Sequence, residues 1–268
     1  MEIAYATVAR AGRPIREAFE AAQRAGMHWL DLWMSDAGNF DAASWRSVSD
    51  AIRTHMDEFD TRVIGLGASL GGPLHAGGRA LRALTWRHFL NLLAAAEACG
   101  APVVRIRSAA APERLPWPEA LFRTQRLLAP MVEAGQEAGI AVCLEPAAAS
   151  PFEFPSRFLA LAEVCPGLKL TYDTGMFVAT GVPLLMTESL FGHTAHVRLR
   201  DAASGRRTVP WGLGGVDAAW LLARLLHHGY SGAVSVEHVA GRDLTDPFAD
   251  VVRMLRELDW LLQRVPAW

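Results

Sequence analysis

Cysteine, lysine and net charge are what this chain of 268 residues has least of. Its three cysteines, Cys99, Cys143 and Cys165, are odd in number and in neither CxxC nor zinc-ribbon spacing, which argues against a disulfide scaffold. The 26 basic residues face 28 acidic ones, a net charge of −2, so the basic footprint of a nucleic-acid binder is missing. Lys169 is the one lysine; every other basic residue is arginine. No apolar run reaches the roughly 18 residues of a membrane span. The longest charge-free stretch, between Arg62 and Arg79, is glycine-rich and reads as a loop. The opening MEIAYATVAR lacks the basic and apolar regions of a secretory leader, so the expectation is a cytoplasmic protein. There is no Walker loop, no G-x-S-x-G elbow and no HxxxH or HExxH pair.

What the chain does have is apolar residues, 51% of the total, arranged as short runs alternating with long amphipathic ones. Strands are predicted at 2–8, 28–34, 62–68, 102–107, 140–146, 168–173, 195–200 and 232–237. Helices are predicted between and after them at 14–25, 43–59, 85–98, 116–138, 156–164, 182–191, 217–228 and 247–264. Pro14 and the Asp246-Pro247 pair suit helix starts, and Gly26, Gly139 and Gly229 suit helix ends. Eight such units in unbroken series, with no linker or shift of composition, predict an α/β fold: one (β/α)8 TIM barrel over 1–268. Segments 69–84 and 202–216 are long for loops of this kind and fall on the active face.

Active sites of such barrels form at the C-terminal strand ends. Those ends carry Glu145, Asp173, Arg198, Asp201 and Glu237. Side chains alternate along a strand, so Glu145 shares its side with Cys143, Asp173 with Thr171, and Glu237 with Ser235. The intervening Val142, Leu144, Leu170, Tyr172, Val234 and Val236 then face the helices. Three inward carboxylates on neighbouring strands repel one another unless a cation compensates; Mg²⁺, Mn²⁺ and Zn²⁺ suit such ligands.

The segments LEP (144–146), YDTG (172–175), HVRLRD (196–201) and GLGGVDAAWLLARLLHHGYSGAVSVE (212–237) resemble the xylose-isomerase-like TIM-barrel family of sugar isomerases and epimerases, which also holds dehydratases and the endonuclease IV enzymes. The resemblance implies one divalent metal (Mn, Mg or Zn) on Glu, Asp, His and Glu of strands five to eight, the two glutamates doubling as the acid/base pair. Glu145, Asp173 and Glu237 match. The histidine does not: the family's H-x-H-x-K-D reads HVRLRD here, so His196 matches the first histidine and Arg198 stands at the ligand position. Met176 replaces the histidine of D-T-x-H, and PAAAS after Glu145 lacks the Arg and Glu of ketose 3-epimerases. A guanidinium offers donors only and cannot ligate a metal. The expectation for this chain is therefore a site without a metal, Arg198 compensating the carboxylates. Glu145, Asp173 and Glu237 remain the ligands if a metal does bind, His196 being a layer too deep to share them.

The functional expectation is a sugar, sugar-acid or polyol-ketone isomerase or epimerase in which Glu145 and Glu237 move protons beside a carbonyl. Asp173, Arg198, His196, Arg107 and Trp33 would contact the substrate. A lyase or dehydratase using the same carboxylates, and a barrel that binds a small molecule without turnover, are the alternatives. The implied partner is a carbohydrate-like small molecule, not nucleic acid or membrane, and self-association is left open. Arg105 and Arg107 offer either a guanidinium for an anionic substrate or partners for barrel carboxylates. Asp31 and Trp33 end strand two. Lys169 sits about 13 Å below the strand end and suits a floor salt bridge better than a Schiff base. The GLGG run at 212–215 suits a turn into the next helix better than a phosphate site.

Overall fold

The computed structural model describes residues 1–7, 14–34, 45–70, 73–75, 77–111, 115–237 and 247–264. Eight parallel strands close in sequence order: β1 Ile3–Ala6, β2 Trp29–Met34, β3 Arg62–Ala68, β4 Val103–Arg107, β5 Ala141–Glu145, β6 Lys169–Asp173, β7 Thr194–Leu199 and β8 Val234–Val236. β8 returns to β1 through Ile3↔Val234 and Tyr5↔Val236. The helices are α1 Ile15–Arg24, α2 Trp45–Phe59, α3 Arg79–Cys99, α4 Trp117–Glu137, α5 Pro155–Val164, α6 Thr174–Ala179, α7 Ala218–His227 and α8 Pro247–Leu262. Among the described residues no helix is long and apolar enough to cross a membrane.

Strand alternation sorts the interior into two compartments. Leu30, Leu32, Val104, Ile106, Val142, Leu144, Leu170, Tyr172, Val197, Leu199, Val234 and Val236 join one apolar core with the helices. Each such side chain, fully buried, stabilises the fold by about 1.5–3 kcal/mol. The opposite parity fills the barrel with polar and charged groups, among them Asp31, Arg105, Glu145, Thr171, Asp173, His196, Arg198 and Ser235, all buried.

Three elements differ from the sequence expectation. α3 starts at Arg79 rather than 85, so the loop before it is shorter; Leu70 and Leu74 anchor that loop in the core. α6 is an extra helix of six residues directly after β6, too short for a 3.6-residue period to register. Leu184–His193 is a 3-10 helix, not an α-helix. Pro14 precedes α1 as its N-cap. Gly26, Gly139 and Gly229 follow α1, α4 and α7 with φ of 70°, 69° and 73°, the left-handed conformation that closes a helix. Asp246 lies outside the described residues.

Candidate active site

Neighbouring strands set the charged residues at matching heights. The register pairs Arg107 with Glu145 and Arg105 with Cys143 across β4 and β5. It pairs Asp173 with Arg198 and Thr171 with His196 across β6 and β7, and Arg198 with Ser235 across β7 and β8. Glu237 follows β8 directly, its backbone N–H donating to the Leu199 carbonyl at 2.9 Å.

Arg198 joins the two glutamates. Its Nη1 donates to Glu145 Oε1 and its Nη2 pairs with Glu237 Oε2. The other Glu145 oxygen, Oε2, accepts from Arg105 Nη1 at 3.0 Å, and Arg105 Nη2 donates to Asp31 Oδ1 at 2.6 Å. Arg200 forks onto Asp173, Nε to Oδ1 at 3.0 Å and Nη2 to Oδ2 at 2.7 Å, and its Nη1 lies 3.7 Å from Glu237 Oε1. Asp173 Oδ1 also accepts from the Met176 amide at 3.0 Å and so caps α6. Three carboxylates at strand ends have thus each acquired a guanidinium, the charge-assisted contact in which arginine is strongest.

Electrostatics follow from burial. Removal from water works against the Arg198 cation, but Glu145, Glu237 and Asp173 outweigh it and hold the guanidinium firmly charged. Arg200 is raised too, against its burial, chiefly by Asp173. Burial alone would raise Asp31 and Asp173, yet Arg105 and Arg200 respectively leave both well below the usual carboxylate range. Burial lowers His196, an effect that Asp31 only partly offsets. Cys143 is pushed up to about 12 by burial, so no thiolate enters the site.

His196 lies in the lower layer, its Nε2 2.9 Å from Ser235 Oγ and 3.3 Å from Asp31 Oδ2. It forms a floor under the strand-end carboxylates. Trp33 is buried with two guanidinium carbons near its ring, Arg105 at 5.5 Å and Arg198 at 5.9 Å from the centroid. Its ring backs the arginines. Gly67 makes this fit possible, since a Cβ there would sit 2.7 Å from Trp33 and 2.9 Å from Arg105. Arg107 ends β4 at the rim, its side chain 32% exposed and its Nε 3.7 Å from Glu145 Oε1.

The donor set does not fit the family's metal. The guanidinium of Arg198 lies between Glu145 and Glu237, and Asp173 has turned to Arg200 and the α6 amide. Among the described residues no three His, Cys, Asp or Glu side chains are disposed to hold an ion. Arginine has no lone pair to offer, and its charge repels a divalent cation.

One reading of the sequence is corrected. Lys169 makes no ion pair among the described residues, so it is not a floor salt bridge. The amides of 212–215 are all taken: Gly212 and Gly214 donate to Asp201 Oδ2 at 2.9 and 2.8 Å, Leu213 to Pro210 O and Gly215 to Ala202 O. That leaves no phosphate cradle and makes Asp201 the anchor of its loop. Arg105 takes the carboxylate-partner alternative the sequence left open, on Asp31 and Glu145; the contacts of Asp31 with His196 and of Arg200 with Asp173 were missed. The inward parity of Arg200 was the available signal.

A closed eight-stranded barrel with charged residues gathered at the strand ends defines a TIM-barrel protein of enzyme-like architecture. The chain belongs to the xylose isomerase-like TIM barrel family, whose model matches residues 19–258. Among solved structures it is similar to a D-tagatose 3-epimerase-like protein at 17% identity, covering 99% of this chain and 98% of that one, TM-score 0.82. It is similar to the 3-keto-D-glucoside 4-epimerase YcjR from E. coli at 15% identity, 98% and 99% coverage, TM-score 0.78. A third is the IOLI protein with a bound zinc atom, at 12% identity, 100% coverage of both chains and TM-score 0.81. A search of the curated proteins finds no match.

Proposed function

We propose that this barrel is a sugar isomerase or epimerase that works without a metal ion, with Arg198 at the position of the family's metal-binding histidine. The observation that carries the reading is the single guanidinium spanning Glu145 and Glu237. In such a reaction a proton leaves the carbon beside a carbonyl and negative charge develops on the oxygen. A preorganised buried guanidinium stabilises that charge, while one glutamate takes the proton and the other returns one. The substrate oxygen accepts one arm of Arg198, and the glutamate released from that arm becomes the base. Asp173 fixes Arg200 beside Glu237, and His196 supports the floor through Asp31; both are positioning residues. The epimerases of similar fold support a carbohydrate substrate, and a lyase sharing the first proton abstraction is a variant of the same reading.

The test is solvent deuterium wash-in, by NMR, on a panel of keto sugars and their acids, with chelator present throughout. Exchange is expected for the wild type and abolished in Glu145→Gln and in Glu237→Gln. Wild-type exchange rates in either variant would refute the acid/base pair. A second reading, binding without turnover, draws on the fact that Glu145, Asp173 and Glu237 are all buried and all held by arginine. Saturable binding with no wash-in for any compound bound would favour it.

A further inference from the structure

Among the described residues, the charged cluster is buried except at Arg107. Asp31, Glu145, Asp173 and Glu237, with Arg105, Arg198 and Arg200, are buried, whereas the Arg107 side chain is 32% exposed. Its contact with the cluster is the long one from Nε to Glu145 Oε1, an oxygen already accepting from Arg198. The two terminal nitrogens of Arg107 have no partner among the described residues. A half-buried guanidinium, with one edge turned to a saturated carboxylate and its fork unpaired, is arranged to receive an anion bidentately. Counted together, four carboxylates in the cluster meet three buried guanidiniums, and Arg107 is the fourth. The charges balance, but Arg107 is the exposed member, so the rim over β4 and β5 presents a guanidinium, not a carboxylate.

We infer that Arg107 binds an oxyanion carried by the substrate, so that the ligand of this barrel is an anionic polyhydroxy compound rather than a neutral sugar. This rests on the proposed carbohydrate reading and narrows its substrate class. A carboxylate and a phosphate share the chemistry, so the test compares both. Three probes are titrated calorimetrically into wild type, Arg107→Gln and Arg107→Lys: a neutral ketohexose, a hexuronate and a ketohexose 6-phosphate.

At least one anion is expected to bind the wild type roughly tenfold or more tightly than the neutral ketohexose, the range of one charge-assisted contact at a partly exposed site. Arg107→Gln should abolish that preference. Arg107→Lys should keep part of it, because the charge remains and the fork does not. The advantage should also shrink as salt rises. Equal affinity for all three probes, no anion binding, or a preference that survives Arg107→Gln would overturn the inference. Deuterium wash-in is read separately. An anion that binds through Arg107 without exchange sinks the catalytic reading alone, while exchange in the neutral sugar with no anion preference sinks this inference alone.

Discussion

Replacing Arg198 by methionine removes the charge on which the centre turns while keeping a flexible side chain of similar length against Trp33. In the wild type Nη1 and Nη2 each hold a buried glutamate. After the change Glu145 keeps Arg105 at 3.0 Å, but Glu237 retains only Arg200 Nη1 at 3.7 Å. Removing one partner of a buried ion pair costs about 3–5 kcal/mol, because the remaining charge stays out of water. Regaining the desolvation cost of Arg198 itself opposes this, yet methionine offers no hydrogen bond to either carboxylate. At about 2–4 °C per kcal/mol for a chain of this size, the melting temperature should fall by roughly 6–20 °C. Adding Glu237→Gln should recover much of the loss, since the uncompensated charge goes with it. Differential scanning calorimetry at pH 7 on wild type, single and double variants reads both numbers. A single variant melting within about 2 °C of wild type, or a double variant no better than the single, would refute the argument that Arg198 neutralises this site.

Arg198→His should create calorimetrically detectable Mn²⁺ or Zn²⁺ binding, while chelator leaves the wild-type melting temperature unchanged; a large chelator shift in the wild type would contradict the metal-free reading. Stability should fall with acid in two stages. Below about pH 6.5 the unfolded chain protonates His196 while the folded one, with its lowered value, does not. Below about pH 4 the unfolded chain protonates Asp31 and Asp173 while the folded one, its carboxylates held low by arginine, does not, and stability falls further. Urea midpoints across pH for wild type and His196→Asn test the first stage, and coincident profiles would remove His196 from it.

The barrel was legible because its signals are local and repeated. Short apolar runs, glycine after several helical runs and parity along single strands need no knowledge of what lies across the sheet. Parity also identified the inward side of β5 to β8. What it could not supply was partner choice. Arg105, Arg107, Arg198 and Arg200 all point inward by the same alternation, yet the register sets Arg198 beside Asp173 while its guanidinium holds Glu145 and Glu237 and Asp173 bonds Arg200, so the partners are chosen across the barrel interior and not by the neighbouring strand. α6 was missed for a different reason: at six residues it is too short to show an amphipathic period, and its one capping signal is local, the Met176 amide on Asp173.

The arginine at position 198 has consequences beyond its own side chain. A histidine there would leave Glu145, Asp173 and Glu237 needing a cation from solution; arginine supplies one covalently, and two others complete the pairing. Arg200 reaches Asp173 across Gly175, where a Cβ would lie 2.6 Å from the Arg200 Cγ. Arg105 reaches Glu145 beside Gly67. The glycines, the lower-layer Asp31 and the arginine-backing Trp33 therefore form one solution to a single electrostatic problem. One histidine restores a metal only weakly, because Asp173 must also leave Arg200 to complete the ligand set. The metal affinity of Arg198→His should accordingly rise further when Arg200→Lys is added, since lysine cannot hold both Asp173 oxygens in a fork. Equal affinity in the single and double variants would mean that Asp173 takes no part in the site Arg198 now fills.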